Sequence, residues 1–417
     1  MESIKEIAND CLNCKVKPCS IKGCPIQTNI PEFISKVKND NYENAYKILK
    51  ENNICSYICS LVCPQEEQCE GSCVRGLKSN PVHIGVLEKN VNEWAIENNY
   101  NYEIIPQKTN GKKVAVIGSG PAGIACGTEL LKEGFSVDIY EKDDIPGGIL
   151  MYGIPDFRLS KDKVQNLINE VKQLGGNFIT GKEFGKDISI KELSEKYDAI
   201  FLGIGAPKST TYNLSENKIE NVFKSDEFLK AYNEKEFIEN LGTVVVIGGG
   251  NVAMDSARAA IRMGADKVKI LYRRDRAHMP AREIELDEAI EDGVEFKELV
   301  RVISADDKNG IIENVNCIET EIIEGKAVDK KDAKIYKEEA NTVVFAIGLK
   351  PDKNLIQDQG IELDDWGYIK VNEKGRTNLE NVYAGGDNTE SKATVCRALA
   401  AGKRAAKGII ENLLNND

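Results

Sequence analysis

The sequence predicts an α/β protein with two Rossmann-like dinucleotide-binding domains behind a small helical domain. Two apolar runs of strand length each end in a glycine cluster, the first beginning at Gly118 and the second at Gly248. The 130 residues between the clusters leave room for one domain each. Nine of the twelve cysteines lie before residue 74, which sets the front of the chain apart from the rest.

Composition excludes several classes of function. The 417 residues include 67 acidic and 55 basic side chains, a net charge of −12, with no basic track interleaved with aromatic residues. Nucleic acid and anionic membranes are therefore poor partners. The apolar stretches fall far short of the roughly 20 residues that a membrane helix needs. The N-terminal residues lack the apolar core of a signal peptide, which predicts a cytoplasmic protein without disulfides. With only His83 and His278 as histidines, cofactors are expected to carry the chemistry.

The first hundred residues predict a helical domain organised around its cysteines. Between two cysteine clusters, apolar residues from Ile30 to Leu49 recur at helical spacing, and Pro31 stands where a first helical turn tolerates proline. The polar stretch 97–113 is typical of a linker. It leads into the all-apolar run 114–117, which is typical of a parallel strand buried on both faces.

The first glycine cluster has the full G-x-G-x-x-G pattern between a strand and a helix. Glycines there permit a tight turn and let backbone N–H groups approach a pyrophosphate at the positive end of the helix. A second strand, 136–140, ends at Glu141, where a carboxylate can accept hydrogen bonds from a ribose. A plain tight turn is the alternative, but the strand, helix and acid together favour a dinucleotide site. Its candidate residues are Gly118, Gly120, Pro121, Ala122, Gly123 and Glu141.

The second glycine cluster differs in the residues that end its second strand. The strand 267–272 ends in two arginines rather than in an acid, with Arg276 and Arg282 close behind. Arginines pair with a 2′-phosphate, which favours NADP over NAD, although a solvated basic turn is the alternative. The third glycine of the fingerprint is replaced by alanine, as the pattern allows. The candidate residues are Gly248, Gly250, Asn251, Val252, Ala253, Arg273 and Arg274.

Other strand ends are expected to pass close to a cofactor. The runs 202–206 and 345–348 end in small residues that include Gly205 and Gly348. Near the C-terminus a strand ends at Gly386 and Asp387, and a helix is predicted from residue 394 through 410. The carboxylate can hold a ribityl hydroxyl, and the start of a helix can stabilise negative charge on a reduced ring.

The spacing of the front cysteines predicts bound metal. In a reducing compartment the run Cys11-x2-Cys14-x4-Cys19-x4-Cys24 cannot be a disulfide scaffold, which leaves zinc or iron–sulfur. Proline follows the last cysteine of two clustered runs, as in ferredoxin-type spacing. Two structural zinc sites are the alternative, but they would leave the odd number of cysteines unexplained.

Together these motifs resemble the small subunit of glutamate synthase and its relatives, the nicotinamide-oxidising half of dihydropyrimidine dehydrogenase and the large subunit of bifurcating ferredoxin:NADP transhydrogenase. The resemblance covers nearly the whole chain and is carried by residues 118–123, 153–159, 248–255, 272–280 and 383–387. The chain departs from common forms of the pattern at Asp156 and Ser160, where glutamate and proline are frequent.

The resemblance implies FAD at the first site, a nicotinamide dinucleotide at the second, and a nicotinamide domain inserted into the FAD domain. The implied domains are 1–110 for iron–sulfur, 111–240 and 349–417 for FAD, and 241–348 for NAD(P)H. The residues implied to lie near the flavin are Gly147, Gly148, Arg158, Asp387, Ala393 and Thr394.

The resemblance also implies two four-iron clusters with interleaved ligands. The ligands of the first would be Cys11, Cys14, Cys19 and Cys73. The ligands of the second would be Cys24, Cys63, Cys69 and Glu88, because the relatives use a Gln or Glu on a downstream helix as the fourth ligand. Cys55 and Cys59 are left over, and Cys59 is a near-miss ligand four residues before Cys63.

The function that follows is electron entry. Hydride would pass from NADPH, or alternatively NADH, to the flavin, and electrons would leave singly through the clusters. The acceptor would be a partner subunit, most often a glutamate synthase large chain, or a ferredoxin-like carrier. A dihydropyrimidine dehydrogenase or transhydrogenase subunit, a free-standing diaphorase and a non-catalytic scaffold are the alternatives. A disulfide reductase is disfavoured because Cys126, Cys317 and Cys396 supply no C-x-x-C or C-x4-C pair. We assign no residue to proton transfer.

Overall fold

A computed structural model of the chain describes residues 3–217 and 219–414. It contains two compact units. The first unit comprises Met1–Met151, Phe157–Ala206 and Pro351–Asp417, and the second comprises Tyr152–Asp156 and Pro207–Lys350. The division by cofactor at residues 240 and 348 stays a prediction from sequence. No helix within the described residues is both long enough and apolar enough to cross a bilayer.

The front of the first unit is helical. Its helices are α1 Ile4–Asn9, α2 Ile30–Lys38, α3 Tyr42–Asn52, α4 Ser56–Val62 and α5 Ile84–Glu97, with a π-helical turn at Cys19–Gly23. Ser3 caps α1 in a capping box with Glu6, and Pro31 lies in the first turn of α2. Phe33, Leu49 and Leu87 are fully buried where these helices pack together. The cysteines therefore lie on a packed helical frame.

The chain then forms the α/β part of the first unit. Its elements are β1 Lys113–Ile117, α6 Pro121–Lys132, β2 Ser136–Tyr140, α7 Ile149–Tyr152, α8 Lys161–Gln173, β3 Asn177–Ile179, α9 Ile190–Ser194 and β4 Ala199–Leu202. The strand β1 is buried along nearly its whole length, as expected for a strand covered on both faces.

The second unit follows. Its elements are β5 Lys208–Ser209, β6 Val222–Lys224, α10 Ser225–Glu234, β7 Thr243–Ile247, α11 Asn251–Arg262, β8 Lys267–Tyr272, α12 Glu283–Glu291, β9 Glu295–Glu298, β10 Val300–Lys308, β11 Ile311–Ile323, β12 Lys326–Asp329, β13 Tyr336–Glu339, β14 Thr342–Phe345 and β15 Leu349–Lys350. The chain then returns to the first unit. The returning elements are α13 Lys353–Gln357, β16 Val382–Ala384 and α14 Val395–Leu414.

Each unit contains a parallel five-stranded sheet. The order in the first unit is β16-β4-β1-β2-β3, and the order in the second is β6-β14-β7-β8-β9. In both, the strand before the glycine cluster lies in the middle, and the strand order reverses beside it. Such a reversal opens a crevice at the carboxyl ends of the strands, where ligands of doubly wound folds bind. The second unit also contains antiparallel strands β10 to β13, which pair around β11.

Candidate functional site

The first glycine loop joins β1 to α6 at the carboxyl edge of its sheet. Gly118 has φ +94°, and a Cβ on it would lie 2.4 Å from the carbonyl oxygen of Gly203. A Cβ on Gly123 would lie 1.9 Å from the carbonyl oxygen of Gly118. Gly120, in contrast, has no atom within 4 Å of the position where its Cβ would lie. The loop is therefore closely packed on the protein side and open at Gly120, where a pyrophosphate can approach the backbone.

Glu141 is buried beside this loop. Its carboxylate accepts a hydrogen bond from the Ser119 backbone N–H at 3.1 Å and another from the Ser119 hydroxyl. The Ser119 Oγ in turn accepts from the Gly147 backbone N–H at 2.8 Å. A Cβ on Gly148 would lie 2.9 Å from the Cα of Gly120, so the 147–148 segment lies against the loop. The structure thus brings together Glu141, Gly147, Gly148 and the first glycine cluster.

The end of β16 adds polar groups to the same unit. Gly386 has φ +91°, and a Cβ on it would lie 3.0 Å from the Cβ of Ala122. Burial, followed by the nearby Glu390 carboxylate, raises the pKa of Asp387 to about 6. Asn388 is fully buried and donates to the Leu202 carbonyl oxygen at 2.9 Å, while its Oδ1 finds no hydrogen-bond partner among the described residues. A buried unpaired acceptor beside Asp387 fits the hydroxyl groups of a flavin chain.

The remaining residues predicted near the flavin occupy different surroundings. Thr394 Oγ1 accepts from the Arg397 backbone N–H at 3.3 Å and so caps the start of α14. Ala393 is exposed, and Arg158 is half-buried. Gly205 follows β4 with φ +65° and open space beside it. The flavin assignments of these four residues stay predictions.

The second glycine loop repeats the geometry of the first. Gly248 has φ +150°, and a Cβ on it would lie 2.2 Å from the Ala346 carbonyl oxygen. A Cβ on Gly249 would lie 2.4 Å from the Tyr272 ring, which explains the extra glycine. Asn251 begins α11, and its Oδ1 accepts from the Arg282 backbone N–H at 2.8 Å. Val252 and Ala253 follow in the first turn, and Gly348 lies just beyond β14 with φ +110°.

The four arginines near this loop divide into two pairs. Arg276 is ion-paired with Glu283 at 3.1 Å and Asp287 at 2.8 Å. Arg282 faces Glu285 at 3.7 Å. In the part of the chain that the structure describes, no ion pair joins Arg273 or Arg274 to a carboxylate; Arg273 is exposed, whereas Arg274 is half-buried with a buried Nε and interacts with Tyr272. Arg273 and Arg274 are therefore the pair whose charge no carboxylate neutralises, as a 2′-phosphate site requires.

The four cysteines assigned to the first cluster line one cavity. Cys11, Cys14, Cys19 and Cys73 all border it, and the rest of the lining is mostly apolar. Burial raises the pKa of Cys11 and of Cys19. Across the described residues, no three His, Cys, Asp or Glu side chains stand close enough to share a single metal ion. A four-iron cluster takes its ligands at its corners, so thiols spread around a cavity fit its donor set.

The residues assigned to the second cluster also come together. Burial raises the pKa of Cys24 to about 11 and that of Glu88 to about 8. Glu88 interacts electrostatically with both Cys24 and Cys69. Cys59 lies on α4, one helical turn before Cys63 at the end of that helix. The neighbouring Cys396 and Cys59 thiols, together with burial, raise the pKa of Cys63 well above its usual value. Cys59 therefore belongs to this group in space.

Cys396 is a member of this second group that the sequence did not predict. It lies in the first turn of α14, buried, and its Sγ donates to Gln68 Oε1 at 2.9 Å. Its thiol is also a neighbour of Cys63 and contributes to raising the pKa of Cys63 well above the usual value. In the sequence, Cys396 follows the predicted flavin residue Thr394 by two positions. No local sequence pattern connects that helix with the cysteines at the front of the chain. The other scattered cysteines, Cys126 and Cys317, are buried in α6 and β11.

Two family models match the chain. Residues 112–405 match pyridine nucleotide-disulphide oxidoreductase. Residues 1–100 match domain II of dihydropyrimidine dehydrogenase, described as carrying a 4Fe-4S cluster. The predicted fold class, the oxidoreductase class and the FAD, NADPH and 4Fe–4S cofactors are confirmed by these matches and the relatives below.

Curated relatives match this chain over almost its full length. The glutamate synthase [NADPH] small chain of Escherichia coli is 32% identical over 97% of this chain and 90% of its own. The small chain of Azospirillum brasilense is 32% identical over 98% of this chain and 89% of its own length. The NADPH-Fe(3+) oxidoreductase subunit beta of Geobacter sulfurreducens is 33% identical over 94% of this chain and 63% of its own length.

Solved structures share the fold of the α/β part. FprA from Mycobacterium tuberculosis superposes with a TM-score of 0.63 at 21% identity, over 73% of this chain and 85% of its own. Thioredoxin reductase from Lactococcus lactis superposes with a TM-score of 0.58 at 20% identity, over 73% of this chain and 99% of its own. The cysteine groups, the two glycine loops and the full-length relatives lead to one conclusion: the chain belongs to the glutamate synthase small chain family of NADPH-dependent FAD and iron–sulfur oxidoreductases.

Proposed function

We propose that this chain is the electron-entry subunit of a glutamate synthase, taking electrons from NADPH and delivering them to a large chain. The observation that carries the proposal is the position of Cys396 on α14, the helix whose start we assign to the flavin. The thiol reaches Gln68 and Cys63 in the second cysteine group. One helix therefore joins a predicted flavin contact to a predicted cluster ligand.

The chain's own residues account for binding and orientation. Glu141 would hold the adenosine ribose, and the open backbone at Gly120 would receive the pyrophosphate. Arg273 and Arg274 would select the 2′-phosphate of NADPH. Bound FAD would take up one hydride, which carries two electrons, and the iron–sulfur groups would carry single electrons, which is the conversion that a two-electron donor requires. No described side chain is needed as a general base.

The two cysteine groups would provide the path by which electrons leave the chain. We assign the cavity of Cys11, Cys14, Cys19 and Cys73 to the first cluster and the group of Cys24, Cys63, Cys69 and Glu88 to the second. Among the described residues no cysteine is in a disulfide, so the proposed ligands are all available to iron. We propose that the acceptor lies on another protein, the glutamate synthase large chain.

The experiment is reconstitution with the glutamate synthase large chain of the same organism. Co-purification and NADPH-dependent glutamate formation, absent with either chain alone, are the expected results. A chain that oxidises NADPH with artificial acceptors but neither binds nor supports the large chain would contradict the assignment. That result would favour the second candidate, an NADPH oxidoreductase with a different acceptor, as the name of the Geobacter relative suggests.

A further inference from the structure

The segment Tyr152–Asp156 belongs to a different unit from the residues on either side of it. The chain up to Met151 and from Phe157 lies in the first unit, whereas this segment lies in the second unit with residues 207–350. It is called here the crossing segment. It carries Asp156, where the family pattern frequently has glutamate, and the proposed function does not account for that residue.

Asn233, on helix α10 of the second unit, holds the backbone of the crossing segment. Its side-chain amide donates to the Tyr152 carbonyl oxygen at 2.8 Å and to the Ile154 carbonyl oxygen at 3.2 Å. Both partners can only accept, so the amide nitrogen has to face the segment, and this fixes the orientation of the side chain. Because Tyr152 and Ile154 are buried, water competes little with the two hydrogen bonds.

The neighbouring Tyr232 binds the end of the same segment. Its hydroxyl donates to the Asp156 carboxylate, with 2.8 Å between the two oxygen atoms. Burial, followed by this hydrogen bond, raises the pKa of Tyr232 to about 12, so the hydroxyl keeps its proton at neutral pH. The Lys230 ammonium lies 4.9 Å from the centre of the Tyr152 ring, within the range of a cation–π contact. Three residues of α10 therefore hold the crossing segment.

Both ends of the crossing segment continue into residues that we assign to the flavin. Gly147 and Gly148 precede it and lie against the first glycine loop, and Arg158 follows it. A segment of this length spans at most about 17 Å when fully extended, so it has little slack. The hydrogen bonds from α10 thus fix a short stretch of chain that has predicted flavin residues at both ends.

We propose that Tyr232 and Asn233 are positioning residues for the reduction of the flavin by NADPH. They keep the crossing segment on the unit assigned to NADPH and so hold the flavin-side residues at its two ends in place for hydride transfer. Such preorganisation matters because a misplacement of about 1 Å can slow a reaction strongly. The inference rests on the proposed function, electron entry from NADPH, and it gives Asp156 a role as the acceptor for Tyr232.

Hydrogen exchange of the full chain with its cofactors tests the hydrogen bonds from α10. Tyr232→Phe removes one hydroxyl, and Asn233→Ala removes both amide hydrogen bonds. The control, Tyr212→Phe, removes a hydroxyl that donates to the Val302 carbonyl oxygen at 2.8 Å within the same unit. Peptides that contain residues 152–158 should exchange at least about threefold faster in the first two variants and at the natural rate in the control. Natural exchange rates in all three variants would overturn the proposal.

Stopped-flow reduction by NADPH separates positioning from binding. In Tyr232→Phe and Asn233→Ala, we expect the limiting rate of flavin reduction to fall at least about threefold. The Kd for NADPH, the FAD content and the unfolding temperature should change little. Asp156→Asn keeps an acceptor for the tyrosine and should retain the natural rate. An unchanged or faster limiting rate in both α10 variants would overturn the proposal, and so would a weaker Kd with no change in rate.

A double-mutant cycle shows whether Tyr232 acts through Asp156. Asp156→Ala should slow flavin reduction as much as Tyr232→Phe does, and the two changes together should cost no more than either alone. Losses that multiply would overturn the pairing. Failure of the proposed function is a separate result, since a natural chain whose flavin NADPH does not reduce would contradict electron entry itself. A natural chain that NADPH reduces, with unaffected variants, would contradict the positioning role alone.

Discussion

The thiol of Cys396 donates a hydrogen bond to Gln68 Oε1 over 2.9 Å, across 328 residues of sequence. Gln68 immediately precedes Cys69, and the Cys396 thiol also contributes to raising the pKa of Cys63. The first turn of α14 is therefore fastened to the segment that carries two of the predicted ligands of the second cluster.

Replacing Cys396 is expected to change the second cluster without removing FAD. The Cys396 thiol donates its one proton to Gln68, the residue before the predicted ligand Cys69. Loss of this hydrogen bond, worth about 1 kcal/mol, is expected to move the reduction potential of the second cluster by up to roughly 40 mV. We expect this shift in Cys396→Ala, measured by a redox titration followed by electron paramagnetic resonance. Cys396→Ser, which keeps a donor, serves as the control, and an equal shift in both variants would contradict the hydrogen-bond explanation.

Alanine substitutions at two glycines of the first loop are expected to have different effects on folding and on FAD binding. Gly123→Ala places a Cβ 1.9 Å from the Gly118 carbonyl oxygen and is expected to lower both the unfolding temperature and FAD content. Gly120→Ala meets no protein atom within 4 Å, so the chain should fold normally but lose FAD. Thermal unfolding and bound-flavin measurements on both variants check this. A Gly120→Ala protein with full FAD would show that the pyrophosphate does not approach there.

The two arginines after β8 are expected to set the preference for NADPH over NADH. Arg273→Ala with Arg274→Ala removes charged hydrogen bonds to a 2′-phosphate, each worth about 1.5–3 kcal/mol. KM for NADPH should rise at least about tenfold, and KM for NADH should change little. Arg276→Ala, whose arginine is already paired with Glu283 and Asp287, is the control and should leave the preference unchanged. Equal rises for both nucleotides would remove the 2′-phosphate assignment.

A buried ion pair in the second unit predicts a pH dependence of stability. Burial would raise the pKa of Glu338, but Lys297 at 2.6 Å and Lys269 at 3.0 Å outweigh it and hold that pKa below its usual value. The stability from this carboxylate is therefore present above the unfolded pKa of about 4.5 and is lost as pH falls through the lower folded value.

Unfolding temperatures measured from pH 7 down to pH 4 check this prediction. The natural chain should lose stability over the acidic end of the range, and Glu338→Gln should show a smaller loss there. Lys269→Met should cost roughly 3 kcal/mol at neutral pH, since it leaves a buried carboxylate with one cation fewer. Parallel pH profiles for the natural chain and Glu338→Gln would show that this pair does not contribute.

Local sequence patterns were enough to predict much of the fold. The strands 136–140 and 267–272 have their predicted bounds, and α14 begins one residue from its predicted start. Glycine clusters carry this information because strand, turn and helix are adjacent in sequence. The ligand assignments stay predictions, although the structure places Cys11, Cys14, Cys19 and Cys73 around one cavity.

Contacts between distant segments could not be predicted in the same way. Cys396 lies on a helix that the local pattern assigns to the flavin alone, and its neighbours are set by how α14 packs on α6. In that packing, a Cβ on Gly402 would lie 2.1 Å from the Ala122 carbonyl oxygen. The antiparallel strands β10 to β13 were also missed, because their alternation is interrupted by register shifts between Val302 and Ser304 and between Asp306 and Asp307.

The most direct test of electron entry is an anaerobic visible spectrum of the purified chain, with flavin, iron and sulfide quantified, before and after NADPH and then NADH. We expect one FAD and about eight irons per chain. We also expect NADPH to bleach both the flavin bands and the broad iron–sulfur absorption. Zinc in place of iron, or a flavin that neither nucleotide reduces, would contradict electron entry from NADPH.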